Sequence, residues 1–159
     1  MIHNHISWLA VSISFFIAIL LELMTLPYMV SFLRPEWVVV VLLYWLIRHP
    51  EKIGIATGAC IGFFMDIISG SYFGINMLSV SLISYLVLMM HKRLKMFPIT
   101  QQSIFVFFIV AIQLMVVYTL KSTIGNSDAS MSYLWQAFSS ALVWPVILIL
   151  SDRLVFALR

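Results

Sequence analysis

Charged residues are scarce in this sequence, and that scarcity excludes an ordinary soluble domain. Lys, Arg, Asp and Glu together make up 9% of the chain, whereas soluble domains carry about 25%. Hydrophobic residues make up 63% of the 159 positions, and the mean hydropathy is +1.08. A soluble fold of this size has too little interior to bury so much apolar surface. The composition therefore predicts an all-α integral membrane protein with almost nothing outside the bilayer.

The sequence also lacks the side-chain groupings that carry catalysis or bind metals. Cys60 has no second cysteine with which to form an internal disulfide, and His3 and His5 are too sparse for a metal site. The apolar segments contain no paired aspartates, no Ser with a His or Lys partner, and no His-rich cluster. We therefore predict no enzymatic activity, no cofactor and no metal site.

Apolar runs long enough to cross a bilayer are what this sequence has in abundance. A spanning helix needs about 20 apolar residues, and we predict six such helices in a single domain, residues 1–159. The second predicted helix is the shortest and begins at Pro35, because proline suits the first turn of a helix. The predicted helices cover residues 6–26, 35–49, 53–69, 75–90, 103–120 and 134–150.

The positions of Lys and Arg predict how these helices are oriented. With six spans, the termini and the 48–52 and 91–102 loops share one side, which carries seven of the nine Lys and Arg residues. Lys and Arg concentrate on the cytoplasmic side, so we predict both termini there and no binding of nucleic acid. Five spans would put the N-terminus outside, and the apolar length of residues 35–47 favours six.

Glycines recur at intervals of four along the predicted third helix. Gly54, Gly58 and Gly62 form a GxxxGxxxG pattern, and small residues at this spacing let helix backbones approach closely in lipid. We predict a close contact here, either within the bundle or with another subunit. Gly70 and Gly74 flank the short turn to the next helix, and we predict that they supply positive φ angles.

Four ionisable residues are predicted to lie in one layer, at the outer ends of the first three helices: Glu22, Arg34, Glu36 and Asp66. Charged groups at such depth are rare and are usually paired or face a cavity. We predict that Asp66 faces inward and pairs with Arg34. In the alternative, Asp66 faces a water-filled pocket or a partner helix, while Glu22 or Glu36 takes the arginine.

Two stretches carry a family resemblance: RPEWVVVVLLYWLIRHP at 34–50 and GACIGFFMDIISGSYFGINML at 58–78, with VWP later at 143–145. With these motifs, their spacing and its length, the chain resembles the bacterial rod shape-determining protein MreD family. The resemblance implies a multi-pass scaffold of the inner membrane that supports lateral peptidoglycan synthesis in the cell-elongation complex. It also implies the partners MreC, the actin-like MreB, and the elongation peptidoglycan synthase with its penicillin-binding protein.

The same resemblance implies a fold similar to the six-helix substrate-binding subunits of energy-coupling-factor transporters. The alternative function is therefore that of a substrate-binding membrane subunit of a vitamin-type transporter. Such a subunit needs a pocket with many polar side chains, and beyond the four ionisable residues the outer layer offers Ser69, Tyr72 and Asn76. These are few for a selective ligand site, so the scaffold is the preferred function. A homodimer and contact with membrane lipid are further expectations.

Overall fold

The computed structural model describes residues 8–24, 34–70, 72–124 and 133–157, and the regular structure in these ranges is α-helical. The helices in chain order are α1 (Trp8–Leu23), α2 (Trp37–Arg48), α3 (Ile55–Ser69), α4 (Ile75–Leu94), α5 (Ile99–Thr123) and α6 (Tyr133–Ala157). Each coincides with one of the predicted helices. The all-helical fold class predicted from composition is confirmed.

Three of these helices are long and apolar enough to cross a membrane, judged by length and composition: Ile75–Leu94, Ile99–Thr123 and, within α6, Leu134–Phe156. The other three are apolar but have 10–17 residues. At 1.5 Å per residue, the 12 residues of α2 extend about 18 Å, against a hydrocarbon core of about 30 Å. The number of helices therefore agrees with the prediction, while the number of spans stays a prediction.

Several helix ends differ from the predicted bounds because polar residues extend the helices. α4 continues past residue 90 through His91, Lys92 and Arg93, and basic side chains in the last turn interact favourably with the helix dipole. α5 begins directly after Pro98, and α6 runs seven residues past the predicted end at 150. Hydropathy marks the apolar part of a helix, whereas backbone hydrogen bonding continues beyond it.

α2 is the central helix of the bundle. Its ten residues from Val38 to Ile47 are all buried, and α1, α4, α5 and α6 pack around it. A helix that is apolar on every side needs neighbours on every side, which explains why this short helix lies in the middle. A polar contact links this core to α1: the indole Nε1 of Trp45 donates to the Ser14 hydroxyl at 2.9 Å.

The C-terminal end of α2 is tied to α6 by polar side chains. The Tyr44 hydroxyl donates to one carboxylate oxygen of Asp152 at 2.6 Å, and the Arg48 guanidinium donates to the other at 3.1 Å. Arg48 and Asp152 are 38% and 51% exposed, so solvent screens their attraction. The partly buried hydrogen bond from Tyr44 is therefore the stronger of the two connections.

The loops that follow α2 and α4 meet at this same end of the bundle. Burial, and then the nearby positive charges of Lys95, Lys52 and Arg48, lower the pKa of His49. Lys95 follows α4, and the other two basic residues lie at the end of α2 or just after it. This shared basic end agrees with the loop arrangement from which the orientation was predicted.

α3 and α4 form an antiparallel hairpin, and α4 provides the main packing surface of α3. α4 in turn packs on α2 and α5, which joins the hairpin to the rest of the bundle. α1 packs on α2 and, to a smaller extent, on α6. α1 and α3 therefore pack mainly on different helices, and neither is the main neighbour of the other.

Candidate functional site

Asp66, near the end of α3, is fully buried and binds the first turn of α4. One carboxylate oxygen accepts a hydrogen bond from the backbone N–H of Asn76 at 2.9 Å. The other accepts from the N–H groups of Gly74 at 2.9 Å and Met77 at 3.2 Å. The first N–H groups of a helix lack partners inside the helix, and Gly74 at the N-cap has no side chain to offer. Asp66 therefore supplies the capping acceptor that Gly74 lacks, with its negative charge at the positive end of the helix dipole.

The predicted pair between Asp66 and Arg34 is wrong, although the prediction that Asp66 faces inward is confirmed. The Nη2 of Arg34 lies 3.3 Å from the Oε1 of Glu22 instead. The turn between α3 and α4 is so short that three backbone donors lie directly beside the Asp66 carboxylate. These local donors satisfy the carboxylate, and α1 supplies Glu22 to the arginine, as the alternative interpretation allowed.

The beginning of α2 is capped by the same means, with side chains from other helices. The second oxygen of Glu22 accepts a hydrogen bond from the backbone N–H of Trp37 at 3.0 Å. Glu36, at the N-cap position, donates its own backbone N–H to the Ser140 hydroxyl of α6 at 3.0 Å. An apolar environment offers no water to such groups, so α1 and α6 supply the acceptors.

The four predicted ionisable residues thus fall into two separate groups. Glu22, Arg34 and Glu36 surround the beginning of α2, whereas Asp66 lies at the beginning of α4. Neither group resembles a general acid–base pair, because the carboxylates of Glu22 and Asp66 accept backbone N–H groups and Glu22 also pairs with Arg34. What these groups do chemically is to hold helix ends together.

Gly58 and Gly62 make the close helix contact that their spacing predicted, and the contact is with α4. A Cβ on Gly62 would lie 2.6 Å from the carbonyl oxygen of Asn76 and 2.7 Å from the Cα of Met77. A Cβ on Gly58 would overlap the hydroxyl of Ser84. Only glycine allows α3 to approach α4 this closely, and this approach brings Asp66 within reach of the backbone of α4.

Gly54 does not take part in this contact, so the predicted series holds for two of its three members. It lies at the N-cap of α3 with an extended backbone, and no atom lies within 4 Å of where its Cβ would be. The helix begins at Ile55 and not at residue 53, which leaves Gly54 outside the packed face. A contact between Gly54 and another subunit stays a prediction.

Gly70 and Gly74 have the positive φ angles that were predicted for the turn, at 58° and 101°. Gly70 ends α3 and Gly74 begins α4. Of the residues offered for a polar pocket, Glu22, Arg34 and Ser69 line one groove, whereas Tyr72 and Asn76 are not among its lining residues. Asn76 is buried, while Tyr72 and Ser69 are exposed, and Ser69 donates to the carbonyl oxygen of Met65 in its own helix.

A groove that was not predicted from the sequence lies between α1 and α3, and the beginning of α2 forms its floor. We call it the α1–α3 groove, and it encloses about 630 Å³. It extends from Trp8 and Thr57 at one end to Glu22, Arg34 and Ser69 at the other. Its middle is lined by Phe15, Ile19, Ile61, Phe64 and Met65. Such a groove depends on which helices are neighbours, and a single sequence carries no signal for that.

A buried glutamine that sequence reasoning also missed fixes the loop between α4 and α5. The side-chain amide of Gln102 donates to the carbonyl oxygens of Leu94 and Phe97, both at 3.0 Å. Its oxygen accepts from the indole Nε1 of Trp144 at 3.4 Å. Within the described ranges no group of three or more His, Cys, Asp or Glu residues is placed to hold a metal ion.

Comparison with known proteins assigns the family. Residues 3–154 match the family described as rod shape-determining protein MreD. A protein of Haemophilus influenzae named rod shape-determining protein MreD is 28% identical over 149 residues, which cover 94% of this chain and 92% of that protein. No solved structure matches the chain. Because the family match covers nearly the whole sequence, the chain belongs to the rod shape-determining protein MreD family.

Proposed function

We propose that this chain is a scaffold of the bacterial inner membrane that supports rod shape and lateral peptidoglycan synthesis by binding other proteins. The observation that carries the proposal is the family match over residues 3–154. The family is one of shape-determining proteins, which supports action by binding and not by catalysis. The buried Asp66 agrees with this role, because its carboxylate is occupied by three backbone N–H groups.

The proposed partners are MreC, MreB and the elongation peptidoglycan synthase with its penicillin-binding protein. Purification of the tagged chain from a rod-shaped bacterium in mild detergent tests this directly. Recovery of MreC supports the scaffold. Recovery of an ATPase module together with a bound small molecule would instead establish the alternative, a substrate-binding subunit of a vitamin-type transporter.

A matched pair of variants separates loss of a partner from loss of the fold. Gly62→Leu is expected to unfold the α3–α4 hairpin, since the backbone of α4 occupies the space. Gly54→Leu leaves the fold intact, because the space around Gly54 is open. If a second copy or a partner contacts Gly54, this variant loses that association and rod shape at unchanged thermal stability. If Gly54→Leu keeps both, the contact lies elsewhere on the chain.

We also propose that the chain crosses the membrane six times, with both termini in the cytoplasm and a fold similar to energy-coupling-factor substrate-binding subunits. The three long apolar helices and the basic loops that meet around His49 support this arrangement. Reporters fused at the N-terminus and after Arg159 test it. A reporter active only in the periplasm at either end would contradict it, and the N-terminal fusion distinguishes five spans from six.

A further inference from the structure

The α1–α3 groove is apolar along its length and charged at one end. Phe15, Ile61 and Phe64 line its middle, and Glu22 and Arg34 stand at its end. This is the distribution of polarity found in a phospholipid. We propose that the groove binds one phospholipid with a zwitterionic headgroup, with an acyl chain along the groove and the headgroup at Glu22 and Arg34.

The charged end of the groove suits a headgroup that carries both signs of charge. Glu22 and Arg34 are 19% and 31% exposed at their side chains, so a headgroup can reach both. A guanidinium has five N–H donors, and Glu22 does not saturate this one, since the Nε of Arg34 is buried without a partner in the described part of the chain. The remaining donors of Arg34 bind a phosphate oxygen, while the carboxylate of Glu22 accepts from an ammonium group.

A purely anionic headgroup fits this end less well. Glu22 already balances the charge of Arg34. Glu36, at the beginning of α2, adds a second carboxyl group near this end of the groove. An uncompensated phosphate would bring a further negative charge beside these groups, and like charges placed together are costly. Phosphatidylethanolamine, which carries an ammonium and a phosphate, is therefore the expected lipid class.

The lining of the groove favours a lipid chain over the helix of another protein. Helix pairs in membranes meet through small residues, whereas the middle of this groove is lined by Phe, Ile and Met. A flexible chain follows such an irregular surface and recovers the dispersion contacts that an empty space loses.

Native mass spectrometry of the full chain released from nanodiscs tests the proposal. The nanodiscs contain phosphatidylethanolamine and phosphatidylglycerol in equal amounts. The wild-type chain is expected to retain one phosphatidylethanolamine. Ser12→Trp and Thr57→Trp fill opposite walls of the groove and should each reduce retention about tenfold, which corresponds to about 1.4 kcal/mol. Phe16→Trp, on α1 but outside the groove and already 63% exposed, should retain the lipid.

The headgroup is tested with Glu22→Gln, which should shift the retained lipid toward phosphatidylglycerol. Thermal stability is measured for every variant, and a groove variant counts only if it melts as Phe16→Trp does. The proposal is overturned if the wild type retains no lipid, or if both groove variants retain as much as Phe16→Trp. Preference of the wild type for phosphatidylglycerol would overturn the assignment of the headgroup.

Discussion

The carboxylate of Asp66 accepts a hydrogen bond from the backbone N–H of Asn76 at 2.9 Å, which joins the end of α3 to the beginning of α4. Glu22 of α1 does the same for α2 through the N–H of Trp37. In both pairs of successive helices an acidic residue near the end of one helix caps the next. A chain so poor in charge thus uses two of its six acidic residues to satisfy helix starts that water cannot reach.

Asp66→Ala is expected to destabilise the chain severely. It leaves three backbone N–H groups of α4 without an acceptor, and each buried unsatisfied group costs about 1–3 kcal/mol. Asp66→Asn keeps one acceptor oxygen and should lower the free energy of unfolding by roughly half as much as Asp66→Ala. Thermal unfolding in detergent measures both, with Ser69→Ala on the exposed side of α3 as the control. If Asp66→Ala melts as the control does, Asp66 does not cap α4.

Alanine substitutions at Gly54, Gly58 and Gly62 should lower the stability of the chain by different amounts. Gly62→Ala meets backbone atoms of Asn76 and Met77, which move only if the two helices separate, so a cost of about 1–3 kcal/mol is expected. The added Cβ in Gly58→Ala overlaps the Ser84 side chain, and a second substitution, Ser84→Ala, should partly restore the lost stability. Gly54→Ala has open space and should cost the least of the three, because its effect is limited to the poorer N-cap that alanine provides. Equal stability of all three variants in thermal unfolding would contradict the close contact.

The stability of variants at Gly74 should depend on its backbone conformation and not on the space around it. No atom lies within 4 Å of a Cβ there, but the φ angle is 101°. Gly74→Val should be destabilising, because β-branched residues are genuine outliers at positive φ. Gly74→Asn should be milder, because asparagine visits positive φ more readily. Protein level in membranes and the melting temperature measure the difference, and equal effects of Val and Asn would contradict this explanation.

Arg34 should be energetically coupled to Glu22 and not to Asp66. Interhelical polar contacts in membrane proteins average about 0.6 kcal/mol and reach about 1.7. A double-mutant cycle with Arg34→Gln and Glu22→Gln should give a coupling in this range. The cycle with Arg34→Gln and Asp66→Asn should give a value near zero. Glu22→Gln alone should be milder than Glu22→Leu, because glutamine still accepts from the N–H of Trp37.

Tyr44→Phe should cost about 1 kcal/mol, the net worth of one hydrogen bond. The phenol donates to Asp152 at 2.6 Å, and the ring stays packed in the variant. Tyr85→Phe is the matched control, since Tyr85 is exposed on α4. Chemical denaturation in detergent compares the two variants, and an equal loss in both would exclude a special role for the Tyr44 bond.

Composition and spacing by themselves determined a large part of this protein. Hydropathy determined the helical class and the positions of the helices. The spacing of Gly58 and Gly62 determined a close helix contact, and Gly70 and Gly74 determined the sharp turn. These features depend on residues that are near each other in the chain, where geometry follows directly from sequence. The motifs at 34–50 and 58–78 likewise pointed to the family that the comparison later showed.

Only the tertiary structure decided which partner each polar group takes. Arg34 binds Glu22 because α1 packs on α2, and Asp66 binds α4 because the two glycines bring that helix close. Gly54 fell outside the contact because α3 begins one residue after it. The α1–α3 groove exists because its two walls belong to helices that pack on different neighbours. Such outcomes depend on a competition among contacts between distant parts of the chain, and a charge in the sequence does not specify which of several partners will lie within 3 or 4 Å of it.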